Sequence, residues 1–313
     1  MRADSLNLSA SENVFSGVQT CEALWENTST TVPTKRSPQK TASKTHLYMV
    51  EKQLAERFGW TSTPASRDAV ISYIKSKAEK LGFDEISYYN TVLKSEAELF
   101  TLVDEVADCN TRFFRDPKQF ACIRDHVIPE LIKSNKASKQ LRIWSVACST
   151  GEESYSMAVV CREKLKRMDG WQVEILGTDL CSKALMAANM ATYAPASLRN
   201  VSDEERQKFF VPVAESSTLQ LKPEIKRMAS FRRGNVIEPA FWRQIKKGYD
   251  FIICSNLLSG LNSQAATQVV KRVHDALRPG GFLMVGSSEK AFVIGPAFKS
   301  IEAPGLFQKT DSD

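Results

Sequence analysis

A turn of small residues and a carboxylate further along the chain have the types and spacing of a ligand-binding site. The turn occupies residues 146–153 (VACSTGEE) after a short apolar run, and Asp179 follows a second run. Small residues let a backbone approach a ligand closely, and a carboxylate accepts hydrogen bonds from two ribose hydroxyls. Because the turn lacks the glycines of GxGxxG, which a dinucleotide pyrophosphate needs, it favours a nucleoside ligand such as S-adenosylmethionine (SAM). The turn alone does not decide for SAM.

Alternating strands and helices are predicted to position this site. Apolar runs predict strands at residues 141–146, 173–177, 249–254 and 282–285, and helical periodicity follows the first three at residues 155–166, 182–190 and 265–277. This alternation is typical of the α/β class, in which helices cover both faces of a parallel sheet. Ligands bind such a sheet at the carboxyl ends of its strands, where the turn and Asp179 lie.

Three regions precede the sheet. Residues 1–45 are rich in Ser, Thr, Asn, Pro and Lys without periodicity, which predicts a disordered tail. Residues 46–115 carry four stretches of helical periodicity and predict an N-terminal all-helical domain, followed by a linker at residues 116–140. The sheet domain then covers residues 141–313. Short alternating runs at about residues 194–231 predict a small inserted antiparallel β subdomain.

Composition narrows the class of protein. Lys and Arg outnumber Asp and Glu by 42 to 36, and the net charge of +6 favours an acidic partner. The seven cysteines are scattered and only three histidines occur, which disfavours a disulfide framework and a metal site. Without a signal peptide or a run of roughly 20 apolar residues, we expect a cytoplasmic protein with no membrane insertion. No interleaving of aromatic and basic residues supports a nucleic-acid partner.

Several longer motifs resemble one family, the chemotaxis-receptor glutamate O-methyltransferases. They are TRFFRD at residues 111–116, WSVACSTGEESYS at 144–156, GTDL at 177–180, FRRGN at 231–235, YDFIIC at 249–254, LRPGG at 277–281 and GSSE at 286–289. They follow the family's order and cover about residues 47–309. The resemblance implies a Rossmann-like methyltransferase sheet, SAM as cofactor and S-adenosylhomocysteine as product. It also implies methyl transfer to glutamate carboxylates of chemoreceptors.

The resemblance further implies which residues bind the cofactor. The positions are Thr111, Arg115, Ala147, Glu152, Asp179, Asn235, Val236 and Asn256. Thr111 and Arg115 are expected to hold the methionine end, with Arg115 paired to its carboxylate at the catalytic centre. Asp179 is expected to bind the ribose, and Asn256 to close the pocket.

The sequence departs from the family where the acceptor meets the methyl group. The family's arginine and tyrosine in this segment are replaced by Ser255 and Gly260. Three interpretations follow. In the first, another cation (Arg112, Arg232 or Arg233) replaces the arginine. In the second, the acceptor is not a glutamate, and an acceptor without a carboxylate needs a base that the sequence does not reveal. In the third, the chain is a catalytically impaired SAM- or S-adenosylhomocysteine-binding sensor or scaffold.

A basic helix predicts the partner surface. Four cations lie on the helix predicted at residues 65–81, which resembles the family's receptor-facing helix: Arg67, Lys75, Lys77 and Lys80. The expected partner is a chemoreceptor or another acidic helical signalling protein. Family members that dock on a receptor tail peptide carry a glycine-bearing loop in the inserted subdomain. Because residues 211–221 contain no glycine, we expect no such tether.

Overall fold

The computed structural model describes residues 44–165, 170–293 and 295–310. Nearly all of the predicted tail, residues 1–43, therefore lies outside the described residues. Within those three ranges, no helix is both long and apolar enough to cross a membrane.

Four helices come first: α1 (Lys44–Phe58), α2 (Pro64–Leu81), α3 (Glu85–Lys94) and α4 (Glu96–Val106). Their buried side chains, among them Leu54, Ile74 and Leu102, form one apolar core. Local signals fix the ends of α2. Thr63 caps its start, accepting a 3.1 Å hydrogen bond from the Ser66 N–H. Gly82 ends the helix in the left-handed region at φ 73°.

The segment predicted as a linker is largely helical. It contains α5 (Pro117–Cys122), a π-helical turn (Ile123–Val127) and α6 (Ile128–Ser134). Phe120, Ile123 and Leu131 are buried in the same core as one face of the sheet. Apolar residues at helical spacing therefore attach this segment to the sheet, and the predicted domain boundaries stay predictions.

Ten strands, six further α-helices and three short 3₁₀ helices (Pro195–Leu198, Leu258–Gly260 and Lys290–Phe292) complete the described chain. The strands are β1 (Gln140–Val146), β2 (Gln172–Asp179), β3 (Thr192–Tyr193), β4 (Phe210–Pro212), β5 (Leu219–Leu221), β6 (Ala229–Arg233), β7 (Tyr249–Cys254), β8 (Leu277–Val285), β9 (Phe298–Ser300) and β10 (Leu306–Lys309). The helices are α7 (Glu152–Leu165), α8 (Ser182–Met190), α9 (Asp203–Phe209), α10 (Pro223–Lys226), α11 (Pro239–Arg243) and α12 (Ser263–Ala276).

Seven strands form the main sheet in the order β6-β2-β1-β7-β8-β10-β9. The first five are parallel, while β10 runs antiparallel to β8 and β9 antiparallel to β10. Every residue of β7 is buried, as expected for a central strand covered on both faces. The carboxyl ends of β1, β2, β7 and β8 meet at one edge. This confirms the predicted α/β class.

The inserted antiparallel sheet is also confirmed. Strand β5 lies between β3 and β4, and both pairings are antiparallel. A tight turn joins β4 to β5, closed by a 3.1 Å hydrogen bond from Val213 N to Thr218 O. The main sheet resumes with β6, which begins at Ala229, inside the range predicted for the insertion.

Candidate active site

A cleft of about 630 Å³ lies between the N-terminal helices and the carboxyl edge of the main sheet. Its volume is within the range of roughly 300–1,000 Å³ that small-molecule sites occupy. Nine of the predicted site residues line it: Thr111, Arg115, Ala147, Asp179, Asn235, Val236, Ser255, Asn256 and Gly260. The fold thus brings together motifs that are far apart in sequence.

The turn after β1 forms the floor of the cleft. Its backbone enters the left-handed region at Ala147 (φ 56°), Ser149 (φ 49°) and Gly151 (φ 91°). Left-handed conformations are strained for Ala and Ser, and such strain concentrates at ligand sites. The turn is held to β2 by a 3.0 Å hydrogen bond from Cys148 N to Thr178 O. The chain is therefore bent sharply before α7 begins.

Asp179 ends β2 with its carboxylate partly engaged. One oxygen accepts from Ser149 N at 2.7 Å and the other from Cys181 N at 2.8 Å. A carboxylate has about four acceptor sites, so two remain for the hydroxyls of a ligand. Burial raises the pKa of Asp179, against the effect of the backbone hydrogen bonds. The geometry suits the predicted ribose contact.

The TRFFRD segment anchors in the core and presents both of its arginines, Arg112 and Arg115, to the cleft. Phe113 and Phe114 are buried, and Phe114 N donates a 3.0 Å hydrogen bond to Ser156 Oγ. Arg115 Nη1 donates to Asn110 O at 2.7 Å. Asp116 caps α5, since its Oδ1 accepts from Gln119 N at 3.2 Å. The polar side chains of the segment are therefore the ones left for binding.

Asn235 supports the cleft wall through three side-chain hydrogen bonds, which use both N–H donors of its amide. Its Nδ2 donates to Arg57 O at 2.8 Å and to Glu238 Oε1 at 3.2 Å, while its Oδ1 accepts from Ile237 N at 3.0 Å. These bonds join the end of α1 to the segment after β6. Asn235 is therefore built to position the neighbouring Val236, which also lines the cleft.

Comparisons with known proteins identify the family. Residues 109–306 match the family described as CheR methyltransferase, SAM binding domain. The chain belongs to the CheR methyltransferase family. It is 31% identical to chemotaxis protein methyltransferase 1 of Pseudomonas aeruginosa over 213 residues, 66% of this chain and 76% of that protein. A chemotaxis protein methyltransferase of Listeria innocua is 32% identical over 230 residues, 73% of this chain and 81% of that protein.

A further relative extends the match. The chemotaxis protein methyltransferase of Listeria monocytogenes is 28% identical over 259 residues, 81% of this chain and 92% of that protein. These similarities confirm the predicted family, SAM as the cofactor and SAM-dependent methyl transfer as the class of reaction.

In this methyltransferase, one predicted cofactor residue lies off the cleft and its neighbour lines it. Glu152 Oε2 accepts from Thr150 Oγ1 at 2.6 Å within the turn, and Glu152 is not among the lining residues. Glu153 lines the cleft, and its Oε1 accepts from Ser145 Oγ at 2.7 Å. Successive helical residues point about 100° apart, and here Glu153 faces the cleft while Glu152 points away from it. The motif contains both, and sequence reasoning missed Glu153.

Burial makes the Glu153 carboxyl an unusually weak acid. It raises the pKa of this carboxyl to about 7, although the hydrogen bond from Ser145 and the nearby Ser255 hydroxyl and Arg115 guanidinium oppose the rise. The carboxyl therefore titrates near neutral pH at the floor of the cleft.

A buried carboxylate that sequence reasoning also missed holds the acceptor loop, residues 255–261. Glu289 is fully buried, and its Oε2 accepts from Asn256 N at 2.6 Å and Gly286 N at 3.0 Å. Its Oε1 accepts from Ser259 N at 2.9 Å. Asn256 has a φ of 60°, so these bonds hold a strained backbone in place. The GSSE motif at residues 286–289 contains this glutamate, and the motif was identified from the sequence without a role for the glutamate.

The acceptor loop is open where the family has a tyrosine. A Cβ added at Gly260 has no atom within 4 Å outside its chain neighbours. The backbone there is nonetheless fixed, because Thr61 N donates to Gly260 O at 2.8 Å and Trp60 forms a β-bridge with Leu261. A Cβ therefore fits at Gly260 without contact.

The three candidate replacement cations differ in position. Arg112 lines the cleft, and its Nε has no hydrogen-bond partner within the described ranges. Burial and the neighbouring Arg199 and Arg115 lower the pKa of Arg112. The Arg232 guanidinium lies 5.8 Å above the Phe241 ring and that of Arg233 lies 4.3 Å above Phe100. Neither Arg232 nor Arg233 lines the cleft.

Proposed function

We propose that this chain transfers the methyl group of SAM to glutamate side-chain carboxylates of chemoreceptor-like proteins. The observation that carries the proposal is the cleft itself, a single cavity lined by the predicted cofactor residues, the cation Arg112 and the acceptor loop. The relatives are named chemotaxis protein methyltransferases, which supports the same class of acceptor.

The donor set of the cleft fits SAM. Arg115 and Glu153 offer opposite charges close together, as the carboxylate and ammonium groups of a methionine end require. Asp179 has two acceptor sites left for ribose hydroxyls, and Thr111 and Val236 line the wall. When bound, SAM supplies a methyl group on a sulfonium, which activates it for displacement. The protein's task is then to orient this group toward the acceptor loop.

The acceptor needs positioning rather than a base. A glutamate has an ordinary pKa of about 4.3 and is ionised at neutral pH. One carboxylate oxygen forms the new bond to the methyl carbon as the bond to sulfur breaks, so no proton moves. Orientation and charge placement are the contributions left to the enzyme. We assign charge placement to Arg112, in place of the family arginine that is Ser255 here.

The basic face of α2 is the proposed partner surface. Lys75 and Lys80 are exposed and Lys77 is half-buried, and none of the three forms a salt bridge with a described residue. Arg67 is already paired with Glu51 at 2.9 Å and contributes less. Thr63 and Ser66, at the start of α2, line the cleft. An acidic receptor helix lying along α2 is therefore next to the acceptor loop.

The proposal includes independence from a receptor tail peptide. The β4–β5 turn is short and lacks glycine, which supports the absence of a tethering loop. Calorimetric titration with such a peptide is expected to give no signal in the micromolar range. Micromolar binding contradicts this part of the proposal.

A reducing compartment is also part of the proposal. All six cysteines within the described ranges are free thiols. Proteins of the cytosol keep their thiols reduced. We therefore propose a cytoplasmic location.

The Arg112→Ala variant tests the proposed function. Losing one charged hydrogen bond costs about 1.5–3 kcal/mol, so methyl transfer to receptor-containing membranes should fall roughly 10- to 100-fold. Affinity for S-adenosylhomocysteine should change little, because Arg112 acts on the acceptor.

The matched control is Arg233→Ala, which removes a cation that packs on Phe100 outside the cleft. It should transfer methyl groups at the parent rate. Equal rates for the parent and Arg112→Ala contradict the assignment of Arg112.

A further inference from the structure

The backbone of the TRFFRD segment bends sharply at Phe114. This residue has a φ of 47°, in the left-handed region that a bulky side chain rarely adopts. Such a conformation persists only where the surrounding structure holds it in place. The two arginines of the segment, Arg112 and Arg115, flank the bend and line the cleft. The contacts that hold Phe114 therefore affect both of these cations.

Two side chains from different elements hold the backbone of Phe114. Its N–H donates to Ser156 Oγ at 3.0 Å, and its carbonyl accepts from Asn200 Nδ2 at 2.9 Å. Ser156 is fully buried on α7, where its Oγ donates to Glu152 O at 2.6 Å. Asn200 is half-buried and follows the 3₁₀ helix Pro195–Leu198, in the predicted insertion. The bend is thus fixed from both sides.

The chain around Asn200 is itself well fixed. Leu198 and Val201 are buried, and Val201 N donates to Leu198 O at 2.9 Å. Ser197 O accepts a 3.0 Å hydrogen bond from Phe113 N, the residue before the bend. Asn200 therefore reaches the TRFFRD segment from an ordered turn, although it does not line the cleft.

The arginine side chains bridge across the bend. Arg115 Nη1 donates to Asn110 O at 2.7 Å, and Arg112 Nη2 donates to Arg115 O at 3.3 Å. Each bond joins a residue before Phe114 to a residue after it. A change in the Phe114 backbone therefore moves donor and acceptor relative to each other and redirects both guanidinium groups.

We propose that Asn200 is a positioning residue of this methyltransferase. Together with Ser156 it keeps Phe114 bent, and it thereby directs Arg115 to the methionine end of SAM and Arg112 to the acceptor. Displacing such groups by about 1 Å can lower a rate 100-fold. The part that concerns Arg112 rests on the proposed function, whereas the part that concerns Arg115 requires only SAM binding.

The Asn200→Ala variant tests the part that concerns Arg115, with two ligands. S-adenosylhomocysteine carries the amino-acid end that Arg115 is expected to hold, and 5′-methylthioadenosine has the same adenosine and sulfur without that end. Affinity for S-adenosylhomocysteine should fall about fivefold, as measured by calorimetry. Affinity for 5′-methylthioadenosine, measured by displacement of labelled SAM, should fall by less than about twofold. General damage to the cleft weakens both ligands alike.

Asn189→Ala is the matched control. Asn189 Nδ2 also donates to a main-chain carbonyl, that of Leu185 at 2.8 Å, but within α8 and outside the cleft. This variant should bind both ligands like the parent. Ser156→Ala releases the other side of the bend and should reproduce the selective loss of S-adenosylhomocysteine affinity, so the test does not depend on one variant folding.

Methyl transfer tests the part that concerns Arg112. At saturating SAM the binding defect is removed, so a remaining fall in kcat of about tenfold in Asn200→Ala reports on the acceptor side. An unchanged kcat overturns this part. A parent that transfers no methyl group contradicts the proposed function, and the ligand comparison then still tests Asn200.

Three results of the ligand comparison overturn the inference. They are an unchanged affinity of Asn200→Ala for S-adenosylhomocysteine, equal losses for the two ligands, and the same selective loss in Asn189→Ala.

Discussion

At the scale of single residues, Asp179 carries the most specific prediction. Its carboxylate is fixed by Ser149 N and Cys181 N, with two acceptor sites left for ribose hydroxyls. Replacing Asp179 by Asn removes the charge and converts one acceptor into a donor. We expect the affinity for S-adenosylhomocysteine to fall roughly 10- to 100-fold, the equivalent of about 1.5–3 kcal/mol, as measured by calorimetry.

Glu174→Gln is the matched control for Asp179→Asn. Glu174 lies on the same strand, but its side chain is 66% exposed and its contact with Arg142 is 4.0 Å long. Exposed ion pairs contribute little, so the control should bind like the parent. Parent-like affinity in Asp179→Asn rules out the ribose contact.

Glu153 predicts a pH dependence of cofactor binding. Its pKa of about 7 leaves the carboxyl mostly neutral at about pH 6 and mostly ionised at about pH 8. Since only the ionised form pairs with an ammonium group, affinity should rise roughly tenfold across this interval. Calorimetry at several pH values measures the rise, and Glu153→Gln should flatten it. A pH-independent affinity in the parent contradicts the role of Glu153.

The Glu153 carboxyl makes the free energy of unfolding fall as the pH rises, whereas it makes the cofactor affinity rise. Its folded-state pKa lies above its ordinary value of 4.5, so the folded protein binds this proton more tightly than the unfolded chain does. The contribution of Glu153 to the free energy of unfolding of the ligand-free protein is therefore fully present below pH 4.5. It is lost as the pH rises toward 7.

Most of the candidate site was accessible from the sequence, for a physical reason. The motif residues Ala147 and Asp179 follow directly after strands, and the carboxyl ends of parallel strands meet at one edge. The choice between Glu152 and Glu153 was not accessible, because it depends on how α7 is rotated about its axis. The roles of the lining residues stay predictions until variants are measured.

At the scale of elements, α2 carries a prediction about the partner. Reversing two exposed charges, Lys75→Glu with Lys80→Glu, should weaken association with receptor-containing membranes. Affinity for S-adenosylhomocysteine should stay unchanged, since neither residue lines the cleft. Co-sedimentation measures the first quantity and calorimetry the second. The expected loss is greatest at low ionic strength, where surface charges are least screened.

The control changes the net charge equally on another face. Lys133 on α6 and Lys136 just after it are exposed, and both can be replaced by Glu. This double variant should associate with membranes like the parent. Equal losses in the two double variants indicate a general charge effect and contradict α2 as the docking surface.

The elements differed in how well the sequence predicted them. Strand β7 matches its predicted range, residues 249–254, because an uninterrupted apolar run is what a buried parallel strand requires. Strand β6 was not predicted, because its sequence ASFRR has two arginines and none of its residues is fully buried. Its pairing with β2, rather than its composition, makes it a strand. The helices of the predicted linker depend likewise on a core formed by distant residues.

At the scale of the whole molecule, the cleft exists because the helices and the sheet are joined at several points. Ser182 N donates to Asp104 Oδ1 at 3.1 Å, which joins α4 to α8. Asn235 holds the end of α1, and Trp60 pairs with Leu261 of the acceptor loop. The cofactor site, the acceptor loop and the basic helix are therefore positioned by one continuous set of contacts.

The most direct test of the central claim measures methyl transfer from labelled SAM to receptor-containing membranes, with binding of S-adenosylhomocysteine measured by calorimetry on the same preparation. We predict binding together with base-labile methyl incorporation, as expected for a glutamate methyl ester. Binding without transfer contradicts the claim and indicates a sensor or scaffold. Base-stable incorporation contradicts a carboxylate acceptor, and absence of binding contradicts the cofactor site itself.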